Sequence, residues 1–238
     1  MRSQDVLREL REQANGLKAR ELERYFKTGP GEYAEGDVFL GITVPVVRTI
    51  ARRYSDISTS ELKRLFESHF HEARFCALVI LVNKFNGVTD PKEAARFFNL
   101  YLDELRRGRV NNWDLVDVSA PTLGRFLLTK KNSRKILVEM SRHDNLWVRR
   151  TAILFTFASL RIGETKPTLD ISTKLLEDDH DLIQKAVGWA LREVGKISAA
   201  QLRSYLKKHG RQMSRTTLRY AIERFSAHER KRWLTTTR

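Results

Sequence analysis

The sequence predicts an all-α protein, an α-solenoid of paired helices. Apolar residues recur with a period near 3.6 in nearly every segment, as on one face of an amphipathic helix. The 238 residues include only 12 Gly and 5 Pro, which is sparse for a β protein with many turns. No segment alternates strictly between apolar and polar residues, so we assign no strands. Three segments also share one pattern at spacings typical of stacked helical pairs.

In the first half of the chain, capping residues indicate where helices begin. After a first helix near the N-terminus, Thr43 and Ser60 each precede an apolar stripe and can cap its first turn. The stretch 71–85 is apolar on most faces, which predicts a buried helix. Asp90 and the proline after it open the next helix, which ends at Gly108.

In the second half, Pro121 should kink or divide a helix that begins at Trp113. The predicted helices are 113–129, 133–141, 145–160, 167–177, 181–195, 199–208, 215–225 and 227–234. Connections between them are short, as in stacked helical hairpins.

An internal repeat favours one HEAT-like domain over residues 1–238. The three related segments are EARFCALVIL (72–81), VRRTAILFTF (148–157) and IQKAVGWALR (183–192). Arg74, Arg150 and Lys185 align, about two repeats and one repeat apart. In addition, D-N-L-W-V-R-R-T-A (144–152) fits the D-x-x-x-V-R-x-x-A signature of HEAT repeats. Stacked repeats of this kind predict a curved solenoid with a concave face.

The charge of the chain indicates a polyanionic partner. The formal net charge is +15 and the pI is about 10.2. From Lys196 onward, 12 Lys or Arg stand against 2 Asp or Glu, so two-thirds of the surplus lies in the last 43 residues. A solvated tail is the simpler explanation, but this stretch keeps its helical periodicity and should be folded. We therefore expect a concave basic face that attracts nucleic acid.

Several classes of site and location are disfavoured. Cys76 alone cannot form an internal disulfide, and it lies in an apolar helix where we expect it to be inert. The longest apolar run, at 77–82, is too short to cross a bilayer, and the N-terminus is unlike a signal peptide. His69 and His71 form H-x-H, but no H-E-x-x-H motif or cysteine cluster accompanies them, so they are predicted to be ordinary surface or turn residues. We expect a cytoplasmic protein without metal or cofactor.

A tryptophan and a carboxylate stand one helical turn apart in NNWDLVD (111–117). Residues i and i+4 share a helix face, so Trp113 and Asp117 should lie side by side. A neighbouring apolar stripe places Asp117 at the edge of a groove. On spacing alone, a functional role for this carboxylate and a brace to an arginine of the next helix are equal alternatives.

Two other tryptophans also lie within a turn of a basic residue. Trp189 follows Lys185 and precedes Arg192, whereas Trp147 lies three residues before Arg150. We expect Trp147 to belong to the core. A solenoid could bring the remaining charges and aromatic rings onto one surface that is basic, aromatic and centred on one acid.

Four motifs in the same order resemble the AlkD family of bacterial DNA glycosylases. They are F-L-G-I-T-V-P (39–45), W-D-L-V-D-x-x-x-P-T-L-G (113–124), D-N-L-W-V-R-R-T-A-I-L-F (144–155) and I-Q-K-A-V-G-W-A-L-R-E (183–193). The resemblance runs from about residue 20 to about residue 225. It implies a HEAT-like repeat enzyme that excises N3- and N7-alkylpurines from DNA in base-excision repair.

Carried over position by position, the resemblance implies the site residues. Asp117 matches the catalytic aspartate, and Trp113 and Trp189 match two tryptophans that pack on the sugar. Arg150 and Arg192 match arginines that contact DNA.

Further DNA-binding residues follow from the same resemblance. Lys185, Thr43 and Pro45 join this set. The N-terminal tyrosine of the family matches Tyr25, with Tyr33 as a rival because the segment 28–37, which contains Tyr33, is longer than the usual link. The family can carry a second aromatic residue where this chain has Asn112.

The resemblance implies a monofunctional glycosylase that acts as a monomer on double-stranded DNA and leaves an abasic site. Two alternatives stay open. One is a non-catalytic repeat protein that binds bent or branched DNA. The other is a protein–protein adaptor, which the net charge disfavours.

Overall fold

The structure is all-helical, as predicted. It is a computed structural model that describes residues 1–236, and within this range only an isolated bridge between Val38 and Phe70 has β geometry. The chain divides into two compact units, residues 1–119 and the residues from Ala120 onward. The single domain, its curvature and its concave basic face stay predictions. Arg238, the last cation of the basic stretch, lies outside the described residues.

The α-helices are numbered in chain order. They are α1 (Ser3–Glu12), α2 (Gly16–Tyr25), α3 (Val44–Arg53), α4 (Thr59–Phe66), α5 (His71–Gly87), α6 (Pro91–Arg106), α7 (Trp113–Leu123), α8 (Ser133–Ser141), α9 (Leu146–Phe155), α10 (Phe157–Arg161), α11 (Lys166–Lys174), α12 (Asp181–Ile197), α13 (Ala199–His209), α14 (Arg215–Ala221) and α15 (Ala227–Thr236). No helix of the described part of the chain is long and apolar enough to cross a membrane.

The predicted helix starts are confirmed at some positions and wrong at others. Asp90 caps α6 by accepting a hydrogen bond from the backbone of its first turn, at 3.1 Å. Thr43 is the N-cap residue of α3, but its side chain makes no capping hydrogen bond. The cap of α4 is Ser58, whose hydroxyl accepts from the N–H of Glu61, so the assignment of Ser60 is wrong.

The core of the first unit is built around α5. This helix packs against α1, α3, α4 and α6, and every residue from 71 to 81 is buried, as its apolar faces predict. Cys76 lies inside it as a free thiol, and burial raises its pKa to about 12. The thiol is therefore protonated at neutral pH, the state expected of an unreactive cysteine.

The second unit is built around α12. This helix packs against α9, α11, α13 and α14. Gly188 permits the close approach of α14, since a Cβ at this position would lie 2.4 Å from the Cβ of Tyr220. Arg149 links successive helical layers, because its Nε donates to Asp178 at 2.7 Å while its Nη1 binds two carbonyls before α9. These contacts are consistent with stacked helical repeats.

Two predicted helices are divided. Pro121 lies in the last turn of α7, and the chain continues as a 3-10 helix over Gly124–Thr129. This confirms the predicted division. The predicted helix 145–160 breaks at Thr156 into α9 and α10.

Candidate functional site

Trp113 opens α7 at the end of a stack of aromatic rings in the first unit. Its indole lies parallel to the ring of Phe26, with centroids 5.1 Å apart and an interplanar angle of 9°. Phe26 in turn stacks on Phe39 at 4.9 Å. Tyr25 approaches the indole edge-on at 6.1 Å and is itself 65% exposed. The stack fixes the plane of a half-buried indole beside an exposed tyrosine.

Asp117 lies one turn further along α7. Both Trp113 and Asp117 are half-buried, whereas Val116, Ala120 and Leu123 of the neighbouring stripe are completely buried. Asp117 is therefore not fully exposed, as predicted, while its position at the edge of a groove stays a prediction. Its catalytic role stays a prediction.

A buried polar network holds the first turn of α7. His71, at the start of α5, contacts two carboxylates, with Nδ1 3.0 Å from Asp37 and Nε2 2.8 Å from Asp114. Asp37 also accepts hydrogen bonds from Arg74 and, at 2.9 Å, from Asn111. The network thus connects α5, the segment before α3 and the start of α7.

The charges of this network stabilise one another. Burial alone would lower the pKa of His71, but the carboxylates of Asp114 and Asp37 outweigh it and raise this pKa to about 9. Burial likewise opposes ionisation of Asp37, yet the hydrogen bond from His71 and the charge of Arg74 hold its pKa below the ordinary value. An imidazolium between two carboxylates is therefore the stable state at neutral pH.

The prediction that His71 is an ordinary surface or turn residue is wrong. The side chain is buried, whereas His69 is exposed. The sequence does carry a sign of this burial. Glu72 and Arg74 lie with His71 in the first turn of a helix that is otherwise apolar on most faces. Charged groups in such a helix require buried partners. No cluster of metal-binding side chains is found among residues 1–236.

The segment before α3 is held by one carboxylate. Glu72 accepts hydrogen bonds from the three consecutive N–H groups of residues 40–42, at 2.8–3.1 Å. Gly41 has φ +78°, and a Cβ there would lie 2.2 Å from a backbone oxygen before α2. Thr43 and Pro45 follow this rigid turn and are exposed.

In the second unit, α12 carries Trp189 with two basic residues. The half-buried indole packs edge-on against Phe157, with centroids 4.8 Å apart, and its Nε1 donates to Glu193 at 3.2 Å. Lys185 binds Asp181 of the same helix at 2.6 Å. Arg192 forms an ion pair with Glu223. Lys185 and Arg192 are half-buried, and each already forms an ion pair with a carboxylate.

Arg150 and Trp147 lie inside the second unit. Trp147 is 6% exposed, which confirms its place in the core. Arg150 is 5% exposed, and its Nη1 donates to the carbonyl of Leu182 at the start of α12. Its predicted contact with DNA stays a prediction.

Tyr33, the rival of Tyr25, lies under the ammonium group of Lys27, which is 6.0 Å from the ring centroid. Asn112, which replaces a possible aromatic residue, is completely buried. Its Oδ1 accepts from the N–H of Trp113 at 2.8 Å, so it takes part in the start of α7.

The model of the DNA alkylation repair enzyme family matches residues 6–225. The chain belongs to the DNA alkylation repair enzyme family. A predicted DNA alkylation repair enzyme from Enterococcus faecalis has a similar structure, with a TM-score of 0.69, 16% identity and coverage of 90% of this chain and 98% of that chain. At this identity the likeness shows the shared fold alone. No curated protein matches the chain.

The family match covers every residue of the predicted site in this DNA alkylation repair enzyme. It begins before Tyr25 and ends after Arg192, and α15 lies beyond it. Membership makes DNA the partner and alkylation repair the role. The basic composition of the chain agrees with this partner.

Proposed function

We propose that this DNA alkylation repair enzyme is a monofunctional glycosylase for N3- and N7-alkylated purines, such as 3-methyladenine and 7-methylguanine, in double-stranded DNA. It acts as a monomer and leaves an abasic site. The observation that carries the proposal is the pairing, on α7, of a half-buried indole fixed by its ring stack with a half-buried carboxylate one turn away.

The chemistry requires only one carboxylate. An N3- or N7-alkylated purine is cationic and departs with the electron pair of the glycosidic bond, which leaves positive charge on the sugar. Acid assistance is hardly needed, so the two carboxylates of most glycosidases reduce to one. Asp117 stabilises the sugar cation and orients the water that adds to C1′, and the added water passes its proton to bulk solvent as the abasic sugar forms.

The aromatic rings complete this environment. Indole faces attract a cationic sugar and exclude solvent. Because Trp113 is held by its stack on Phe26, it needs little ordering when DNA binds. Tyr25 stands exposed beside Trp113, and this position favours it over Tyr33 as the tyrosine that contacts DNA.

The second unit supplies the remaining predicted contacts. Trp189 packs on the sugar, while Lys185 and Arg192 exchange their carboxylate partners for phosphates when DNA binds. Arg150 contacts a phosphate in this proposal, and its hydrogen bond to the carbonyl of Leu182 holds the start of α12, which carries Lys185, Trp189 and Arg192.

The decisive experiment measures base release. Duplex DNA treated with a methylating agent is incubated with the protein, and free 7-methylguanine and 3-methyladenine are separated and quantified. Release by the native protein, with strongly reduced release by Asp117→Asn, supports the proposal. Tight binding of the same DNA without release would instead identify a non-catalytic protein for bent or branched DNA.

A further inference from the structure

Helices α14 and α15 enclose a basic groove of about 460 Å³ at the end of the second unit. Four cationic side chains line it: Arg215, Arg219, Arg230 and Lys231. The remaining lining residues are Ile222, Ala227, Leu234 and Thr235, so no acid lines the groove. Arg215 donates to the carbonyl of Leu234 at 2.6 Å, which ties the start of α14 to the last turn of α15.

Both acidic residues between Lys196 and Thr236 are engaged elsewhere. Glu229 accepts two hydrogen bonds from Arg203 of α13, at 2.8 and 3.0 Å. The hydrogen bond from Arg203 is the main reason why the pKa of Glu229 lies below its ordinary value. Glu223 pairs with Arg192 of α12. Neither carboxylate therefore neutralises the groove.

The groove cations are open to an external anion. Arg219, Arg230 and Lys231 are exposed, and among residues 1–235, whose side chains the structure describes, none forms a hydrogen bond or ion pair with these three side chains. Like charges that converge without a counter-ion repel one another. Binding of an anion relieves this repulsion.

We propose that the groove between α14 and α15 binds the phosphate backbone of duplex DNA, as an anchor separate from the predicted lesion contacts. The groove exists only because of α15, and this helix lies beyond the region that the family model matches. The inference rests on DNA as the partner of the family and not on the proposed excision chemistry.

The chemistry of the groove favours a phosphodiester chain. Arginine guanidinium groups bind phosphate oxygens in pairs, and contacts to successive phosphates gain from counterion release. A membrane surface would require exposed apolar side chains beside the cations. Of the apolar residues that line the groove, Ile222 is 1% exposed, Leu234 is half-buried, and the exposed Ala227 is small.

The test compares two double variants that each remove two positive charges from the second unit. Arg219→Gln/Lys231→Gln alters the groove, and Lys207→Gln/Lys208→Gln alters exposed lysines at the end of α13. Affinity for an unmodified 20-base-pair duplex is measured by fluorescence anisotropy across a range of KCl concentrations. The groove variant should bind more weakly, and its slope of log affinity against log salt should be shallower by about 1.8, or about 0.9 per lost phosphate contact. The α13 variant should retain most of the native slope.

Three outcomes would overturn the proposal. One is native affinity and slope in the groove variant. Another is an equal loss in both variants, which would indicate a general effect of charge. A third is undiminished DNA binding with lost binding to vesicles containing phosphatidylglycerol, which would assign the groove to a membrane.

Arg230→Gln, with an expected slope change of about 0.9, replaces the double variant if thermal melting shows that the latter is unfolded. Because the duplex carries no lesion, failure of the glycosylase proposal would leave this result unaffected.

Discussion

The charge of Asp117, rather than its size, is the property that the proposed chemistry uses. Asp117→Asn keeps the shape and removes the charge. We expect excision of 7-methylguanine to fall by about two orders of magnitude, the loss typical of deleting one preorganised electrostatic group. Duplex affinity should persist or rise, since a negative charge near the phosphates is removed. Single-turnover excision, duplex affinity and melting temperature are measured on the same protein.

Asp114, one turn earlier on α7, provides the matched comparison for Asp117. Its carboxylate binds the buried His71, so Asp114→Asn should lower the melting temperature. If Asp117→Asn instead lowers stability, binding and excision together, Asp117 is a brace of the fold. Undiminished excision by a stable Asp117→Asn protein would contradict the catalytic role.

His71 should make stability depend on pH in the alkaline range. Its pKa is about 9 in the folded protein against an ordinary value of 6.5. A raised pKa stabilises the fold fully below 6.5, and this contribution is lost as the pH rises through 9. The free energy of unfolding should therefore decrease by on the order of 3 kcal/mol between these limits, at 1.36 kcal/mol per pKa unit.

Urea unfolding at several pH values between 6 and 10 measures the effect of His71. His71→Gln keeps hydrogen-bonding capacity but cannot carry the charge, so its stability should be lower at pH 7 and nearly flat across the range. The native and variant curves should converge near pH 10. An equally steep decrease in both proteins would show that other groups cause it.

Each of the helices α7, α9 and α12 carries one tryptophan, and burial separates their expected roles. Trp113 and Trp189 are half-buried, whereas Trp147 lies in the core. Replacing either half-buried tryptophan with alanine should strongly reduce the rate of excision. The accompanying loss of unfolding free energy should be smaller than that expected for Trp147. Trp147→Ala should instead cost about 3–5 kcal/mol of unfolding free energy.

Thermal melts and excision assays on the three tryptophan variants distinguish these roles. If Trp113→Ala or Trp189→Ala loses as much unfolding free energy as Trp147→Ala, the residue belongs to the core. It would then be removed from the proposed site. Retained excision in a stable variant would have the same consequence.

The accuracy of helix prediction follows the amount of apolar surface that each helix buries. Helix α5 is evident from its apolar faces. Helix α2 was not predicted, because Ala19 is its one buried residue and the helix therefore lacks an apolar stripe. The close packing of α12 on α14 was equally hidden, since nothing local distinguishes Gly188 from a helix-weakening glycine.

The electrostatic model for the whole chain predicts strong salt dependence. With a net charge of +15, affinity for duplex DNA should fall steeply as salt rises, because binding releases counterions from several phosphates. Arg192→Gln should weaken binding and reduce the slope by about 0.9, the effect of one phosphate contact. Titrations at several KCl concentrations measure both. An affinity independent of salt would contradict the model.

The site was partly predictable because some of its geometry is local. The spacing of Trp113 and Asp117 within one helix fixes their common face, and the sequence reveals it. The buried network is not local, since Asp37, His71 and Asp114 belong to three separate segments that only the fold brings together. The pairing of Arg192 with Glu223 was hidden for the same reason.

The single carboxylate of Glu72 has a consequence for measuring motion in this enzyme. Because it holds the N–H groups of residues 40–42 together, their amide hydrogens should show similar protection from exchange with solvent deuterium, governed by one local opening. These three amides thus form a natural reporter for the turn that precedes Thr43 and Pro45. A change in their common protection when DNA is added would register contact at this turn without any label or mutation.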